Sequence, residues 1–220
     1  KPTKEFTSEI LSVMKESGCK CVYWGVESGS ERVIALMDKG NDIDGAQTTL
    51  KASTEAGLRN HLFMIVGFPS ETREELDETL DFLHENRAYI DKILGNPYVL
   101  KKGTPIRDHH HDFGIGKVYH QRSICNSTLL KYETSRGMTP DFAAKAASYL
   151  QVQYFDRFSE RGKLFGTPRD HIILVYGLTP PPDLERDPDI TDPAVIKAAL
   201  DETGGAYTPE DSAKLVPIWS

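Results

Sequence analysis

The chain has 220 residues, enough for one core of ordinary size, and its hydrophobic and charged contents of 39% and 27% are typical of a globular protein. No apolar run approaches the ~20 residues of a membrane span, and the start at Lys1 lacks the apolar centre of a signal peptide. The net charge is −7, with nine acidic and three basic residues after Pro182, so we expect neither nucleic-acid nor membrane binding.

The first half of the chain alternates between helical and strand patterns. Apolar residues recur at helical spacing before Gly18, a Val- and aromatic-rich run follows it, and Ser30 is placed to cap a helix. Thr72 and Glu75 are the two ends of a capping box. The predicted elements are helix 7–17, strand 19–26, helices 31–40 and 43–56, strand 62–68, a helix after 72 and strand 90–100. This order predicts an α/β fold with parallel strands.

The second half is less regular. Residues 106–138 are expected to be irregular, and Pro140 begins a long helix with Phe142, Ala146, Tyr149 and Tyr154 broadly on one side. The remaining predicted features are a short strand at 171–176, a break at 179–182 and two short helices beginning near 192 and 208. We expect three parts, namely 1–105, an extension over 106–178 and an acidic, loosely attached tail over 179–220.

Small and polar residues follow two of the predicted strands, which is where parallel α/β proteins build ligand sites. Glu27-Ser28-Gly29-Ser30 follows the first strand, and Gly67-Phe68-Pro69 follows the second. A carboxylate such as Glu27 can accept hydrogen bonds from ribose hydroxyls or pair with an ammonium group. Ser28 and Ser30 add short polar groups, and Gly29 lets backbone approach a ligand. Alternatively, Glu27 and Ser30 only cap the next helix.

These motifs resemble radical S-adenosylmethionine (radical SAM) enzymes, especially those associated with cobalamin. Residues 25–30 with 36–40 are similar to the fourth-strand segment of their barrel, 66–72 to the fifth, and 96–98 with 103–105 to the sixth. The resemblance implies an α/β fold consisting of a partial TIM-type barrel over residues 1–105, plus a mainly helical C-terminal extension. It also implies S-adenosylmethionine as cofactor, a [4Fe-4S] cluster in the complete enzyme, and cobalamin as a further candidate.

The resemblance assigns predicted roles to particular residues. Glu27 and Ser28 would bind the nucleoside, Lys39 would pair with the cofactor carboxylate, and the 67–69 turn would contact the adenine ring. Asn96 and Tyr98 lie two apart and would share a strand face toward the substrate. Each has a structural alternative. Lys39 would be an exposed lysine at a helix end, and residues 67–69 an ordinary turn with Glu71 interacting with the helix dipole. Asn96 and Tyr98 would be core or surface packing residues.

One feature of the family is absent from the sequence. The cluster of these enzymes is held by three cysteines, usually C-x-x-x-C-x-x-C, and no such motif occurs here. Cys19 and Cys21 lie in a predicted strand and are expected to be packing residues, while Cys125 stands alone. The odd number of cysteines favours reduced thiols in the cytoplasm. Residues 108–112, which hold three adjacent histidines, are expected to be a solvated loop and not a metal site.

The sequence therefore predicts the cofactor-orienting and cavity-lining part of a radical SAM enzyme. The implied reaction is radical hydrogen abstraction or methyl transfer on a small-molecule or peptide substrate, with catalytic residues unassigned. Because three strands cannot close a barrel, we expect a missing N-terminal barrel half or a partner chain, and inactivity without it. Two alternatives stay open: a truncated, non-catalytic chain that needs partner strands, and an unrelated nucleotide-binding α/β domain, against which the lack of a Gly-rich phosphate loop counts.

Overall fold

A computed structural model describes residues 1–119, 128–155, 197–198 and 200–201. The helices are α1 (Ser8–Glu16), α2 (Glu31–Met37), α3 (Ile43–Glu55), α4 (Arg73–Glu85), α5 (Pro105–Asp108) and α6 (Pro140–Phe155), with a 3-10 turn at Arg87–Tyr89. The strands are β1 (Cys21–Glu27), β2 (Arg59–Val66), β3 (Lys92–Pro97), β4 (Leu100–Lys101), β5 (Ile115–Tyr119) and β6 (Leu129–Thr134).

The first three strands form one parallel sheet in the order β1-β2-β3. Trp24 is opposite Leu62, which is opposite Ile93, so these buried side chains point to the same face. The helices cover that face. The sheet and its helices confirm the predicted α/β fold with parallel strands, and the described residues contain no closed barrel.

One large core joins the sheet to the helices. Leu76, Leu80 and Leu83 of α4 are buried in it, as the helical pattern predicts. The predicted capping box is also confirmed, because Thr72 accepts from the Glu75 amide while the Glu75 carboxylate accepts from the Thr72 amide. Helix α6 adds further side chains to this core, namely Phe142, Ala143, Ala146, Ala147, Tyr149 and Leu150. The side chain of Tyr154 is outside the described set.

A second, antiparallel sheet has the order β4-β6-β5 and its own small core of Leu100, Ile115 and Leu130. The expectation that residues 106–138 are irregular is therefore wrong. Each strand is short, and its pairing partner is distant in sequence, so local pattern carries little signal for it. Cys125 and the features predicted near 171–182, 192 and 208 lie outside the described residues, and the division into three parts stays a prediction.

Two helix ends differ from expectation. Ser30 stands at the N-cap position of α2, but its side chain makes no capping bond. The same helix ends at Met37, three residues before the predicted end, because Asp38 adopts a left-handed conformation with φ 48°. Among the described residues, no helix is both long and apolar enough to cross a membrane.

Candidate site at the carboxyl ends of the parallel strands

Glu27 lies at the carboxyl end of β1, and Gly67 follows the last residue of its neighbour β2. The two strands are parallel and directly paired, so both chain segments leave the sheet at one edge. A register shift between Gly25 and Glu27 places Glu27 opposite Met64. The predicted neighbourhood of the two motifs is therefore present in the structure.

The backbone of Glu27 is in the left-handed region, with φ 74°. A non-glycine residue rarely adopts this conformation, and such strain often marks a functional position. The side chain turns back over Gly25, because a Cβ at Gly25 would stand 2.7 Å from Glu27 Oε1. Asn41 supports the same bulge by donating from Nδ2 to the Val26 carbonyl at 3.2 Å. The missing side chain at Gly25 thus makes room for the Glu27 carboxylate.

The Glu27 carboxylate is shielded from bulk water and has a cationic partner. Its side chain is 12% exposed, and the Lys39 ammonium donates to Oε1 at 2.7 Å. Lys39 is 45% exposed, so its ammonium can turn toward an incoming anion without losing solvation. The structure brings together the acid and the base that the sequence singled out separately.

Ser28 and Gly29 are bound to helix α4, and Ser30 is bound to Ser28. The Ser28 hydroxyl is 3.1 Å from Thr79 Oγ1, the Gly29 amide donates to that oxygen at 2.9 Å, and the Ser30 amide donates to Ser28 Oγ at 3.1 Å. Ser28 and Ser30 are fully buried. A Cβ at Gly29 would stand 2.6 Å from Thr79 Cα.

Gly29 is required for close packing against α4, and not for the approach of a ligand as the sequence suggested. The backbone that approaches this glycine closely is that of α4, which fills the space expected for a ligand. The Ser28 and Ser30 side chains are likewise directed into the protein. Direct contact of the three residues with a cofactor stays a prediction, and their observed role is to anchor the segment that follows Glu27.

The turn after β2 is braced from inside by Glu71. Its Oε2 accepts from the Gly67 and Phe68 amides, the latter at 3.1 Å, and the Glu71 amide donates to the Phe68 carbonyl at 2.8 Å. Burial raises the pKa of Glu71 to about 7. The hydrogen bonds from the two amides lower the pKa, but their effect is smaller than that of burial. The sequence suggested only a helix-dipole role for this residue. Its bonds to the turn were not predicted, because no local sequence pattern marks a carboxylate that reaches back four residues to a glycine.

Gly67, Phe68 and Pro69 are all buried. Gly67 has φ 74°, and a Cβ there would collide with Ala143 of α6. The Phe68 ring is 4% exposed and packs edge-on against Tyr98, with ring centroids 5.4 Å apart. The ring therefore does not offer the open flat surface expected for an adenine. Contact between this turn and adenine stays a prediction, through groups other than the ring face.

Asn96 and Tyr98 do not share a strand. Asn96 is opposite Ile65 on the sheet face away from the helices, and it is exposed. Tyr98 follows the end of β3 and packs against the small second core, near Tyr132 at 6.2 Å between centroids. Burial raises the pKa of Tyr98 to about 12. Of the two, Asn96 is the exposed residue.

Comparison with known proteins places these motifs in a family. Residues 3–83, which include Glu27, Lys39 and the Gly67 turn, match the model of the Radical SAM superfamily. This stretch of the chain therefore carries the sequence pattern of the radical SAM superfamily. The family resemblance stated from the motifs is thereby confirmed.

Two curated relatives are similar to part of this chain. An uncharacterized methyltransferase of Pyrococcus horikoshii is 34% identical over 94 residues, which is 42% of this chain and 20% of that protein. Ribosomal protein uS12 methylthiotransferase RimO of Chlorobaculum parvum is 29% identical over 140 residues, or 58% of this chain and 32% of that protein. The chain thus spans at most about a third of these two relatives.

A solved radical SAM structure supports the fold. The cobalamin-dependent S-adenosylmethionine radical enzyme OxsB, with aqua-cobalamin bound, aligns with a TM-score of 0.54 at 13% identity. The alignment covers 94% of this chain and 33% of OxsB. At this identity the likeness supports the fold alone, and it matches the three-strand sheet to a fragment of a radical SAM barrel.

The residues of this radical SAM segment fit part of the cofactor set. A shielded carboxylate beside a mobile ammonium suits the ribose hydroxyls and the carboxylate of S-adenosylmethionine. Of the cysteines in the described residues, Cys21 does not fit a cluster. Cys21 is half-buried, and burial raises its pKa to about 12, the opposite of a ligand thiolate. Within the described ranges no three His, Cys, Asp or Glu side chains form a metal-binding group.

Proposed function

We propose that this chain orients S-adenosylmethionine in a radical SAM enzyme and forms one wall of the substrate cavity. The observation that carries the proposal is the Glu27–Lys39 pair at the carboxyl end of β1, beside the turn that ends β2. The match of residues 3–83 to the Radical SAM superfamily model suggests S-adenosylmethionine as the cofactor for this geometry. S-adenosylmethionine, when bound, supplies the chemistry of radical hydrogen abstraction or methyl transfer.

In this proposal each residue has a limited role. Glu27 accepts hydrogen bonds from the ribose hydroxyls, since its carboxylate is held in place by the bulge and by Gly25. Lys39 turns from Glu27 to the cofactor carboxylate. Asn96 faces the substrate from the sheet face away from the helices. Fixed placement of reactants, rather than proton transfer, is the contribution of these side chains.

The strands that complete the barrel are also part of the proposal. Within the described residues β1 and β3 are the two edges of the parallel sheet, and each can pair with a further strand. We propose that a missing N-terminal barrel half or a partner chain supplies those strands and the three cluster cysteines. Without it, the chain binds cofactor but performs no turnover. A truncated chain with no catalytic role is the alternative within the family.

The substrate class is proposed more broadly. The curated relatives named above are a methyltransferase and a methylthiotransferase, so group transfer to carbon is the favoured reaction class. We keep a small-molecule or peptide substrate, because the net charge of −7 and the lack of a basic stripe disfavour nucleic acid. Participation of cobalamin and a reducing cytoplasmic setting stay predictions.

The test is titration calorimetry of the full chain with S-adenosylmethionine and, separately, with ATP. We expect S-adenosylmethionine to bind more tightly, and Glu27→Gln to weaken its binding about tenfold, or about 1.4 kcal/mol. Glu16→Gln, at the exposed end of α1, is the matched control and should change nothing. Tighter binding of ATP that ignores Glu27→Gln would instead support the unrelated nucleotide-binding domain.

A further inference from the structure

Arg32, in the first turn of α2, connects the segment after β1 to the segment after β2. Its Nε and Nη2 donate to the two carboxylate oxygens of Glu75 on α4. The same guanidinium donates from Nη1 to Ser70 Oγ at 3.2 Å and from Nη2 to the Ser70 carbonyl at 2.9 Å. Four donor contacts from one planar fork fix the distance and the angle between the two segments.

The partners of Arg32 are themselves parts of the turn after β2. Glu75 caps α4, because its Oε2 also accepts from the Thr72 amide at 2.8 Å. Ser70 has φ 71°, a left-handed conformation that costs a non-glycine residue about 1–2 kcal/mol. The hydrogen bonds from Arg32 to its hydroxyl and carbonyl offset that cost. Arg32 therefore holds the turn in a conformation that Ser70 would not adopt by itself.

The opposite side of the turn is closed by the chain before α6. The Met138 amide donates to the Glu71 carbonyl at 2.8 Å. A Cβ at Gly137 would stand 2.6 Å from that carbonyl oxygen and 2.7 Å from the Ser70 carbonyl carbon. The turn is thus held on one side by backbone and on the other by Arg32, and Arg32 is the contact that reaches the Glu27 segment.

The geometry points to Arg32 as a positioning residue that sets the Gly67–Glu71 turn relative to Glu27. This inference rests on the proposed function, because it assumes that one ligand spans both segments. Lysine cannot replace Arg32, since a single ammonium cannot reach Glu75 and both Ser70 oxygens at once. Without the guanidinium contacts the turn relaxes, and its distance from the Glu27 segment increases.

The test compares Arg32→Lys with Arg59→Lys in the full chain. Arg59 is the matched control, because it donates to Asp91 Oδ1 at 2.9 Å at the amino end of the same sheet, away from both segments. For Arg32→Lys we expect about tenfold weaker S-adenosylmethionine binding and faster amide hydrogen exchange at residues 67–71. For Arg59→Lys the binding affinity and the exchange rates at residues 67–71 should stay within about twofold of those of the starting chain, whatever the stability of the variant.

A second substitution tests the cause. Adding Ser70→Gly to Arg32→Lys removes the strain at residue 70, so it should recover most of the lost affinity and slow the exchange again. Ser70→Ala keeps the strain and should recover neither. The inference is overturned if Arg32→Lys leaves the exchange of the turn unchanged, or if Gly and Ala at 70 behave alike. If the starting chain does not bind S-adenosylmethionine but the exchange differences occur, the proposed function fails and the coupling stands.

Discussion

The Lys39 ammonium donates to the Glu27 carboxylate at 2.7 Å, although Lys39 is 45% exposed and Glu27 only 12%. The pair joins the end of β1 to the chain just after α2. A shielded acid with an exposed, movable base leaves the base free to change partners while the acid stays in place. That asymmetry separates the roles of the two residues in ligand binding.

Lys39→Gln should weaken the binding of S-adenosylmethionine about tenfold and leave adenosine binding within about twofold, because only the first ligand carries a carboxylate. Glu27→Gln should weaken both ligands, since both carry the ribose. Calorimetry with the two ligands on the two variants measures this difference. Equal losses for both ligands in Lys39→Gln would assign Lys39 a role in holding Glu27 instead.

Gly25→Ala should preserve the fold and impair the site. The added Cβ would stand 2.7 Å from Glu27 Oε1, the far end of a flexible side chain, so the carboxylate moves and the backbone does not. We expect urea unfolding within about 1 kcal/mol of the starting chain and a loss of affinity for adenosine ligands similar to that of Glu27→Gln. Gly116→Ala, whose Cβ would have no neighbour nearer than 3.5 Å, is the control for both measurements.

Local pattern was sufficient for the elements of the parallel sheet and for the acidic end of β1. Alternation of helical and strand patterns predicts the parallel sheet, and Thr72 with Glu75 predicts the start of α4. The place of Glu27 at a strand end also follows from its neighbours in sequence. Each of these features depends on residues within a few positions of one another.

Features that join distant residues were not predicted. Thr79 holds Ser28 from 51 positions away, and Arg32 holds Ser70 from 38. A sequence shows that Gly29 lacks a side chain, but not whether a ligand or a helix occupies the space. The second sheet was missed for a similar reason, because β4 pairs with β6 across a long connection. Tertiary partners decide such features.

Asn60 is a polar residue inside the core that binds several other core groups. It is fully buried, accepts from Trp24 Nε1 at 2.8 Å and from Ser53 Oγ at 2.6 Å, and donates to the Tyr89 carbonyl at 2.8 Å. Asn60→Ala leaves these partners unsatisfied and should lower the free energy of unfolding by about 3 kcal/mol. Asn96→Ala, at an exposed position, should change it by less than about 0.5 kcal/mol. Similar urea midpoints for the two variants would contradict this account.

The contribution of Glu71 to stability should be larger in mild acid than at neutral pH. Its pKa is about 7 in the folded protein because of burial, against an ordinary value of 4.5, so its contribution is complete below pH 4.5. As pH rises to 7 the unfolded chain loses the proton first, and the contribution is lost. Relative to Glu71→Gln, the starting chain should lose about 3 kcal/mol across this window in urea unfolding. Parallel curves for the two proteins would show that Glu71 does not titrate this way.

His61 should have the opposite dependence on pH. Burial, and then the positive charges of Lys92 and Arg59, lower its pKa from 6.5 to about 3. Below pH 6.5 the unfolded chain binds a proton that the folded chain does not, so stability falls with acid until about pH 3. His61→Gln should remove this loss, which amounts to about 2.5 kcal/mol between pH 7 and 4.5. The pH ranges in which His61 and Glu71 affect stability overlap, and the two effects have opposite signs. Removing either residue should therefore make the pH dependence of stability steeper, because the effect of the other residue is no longer offset. A variant at either site that leaves the slope unchanged would exclude that residue as its source.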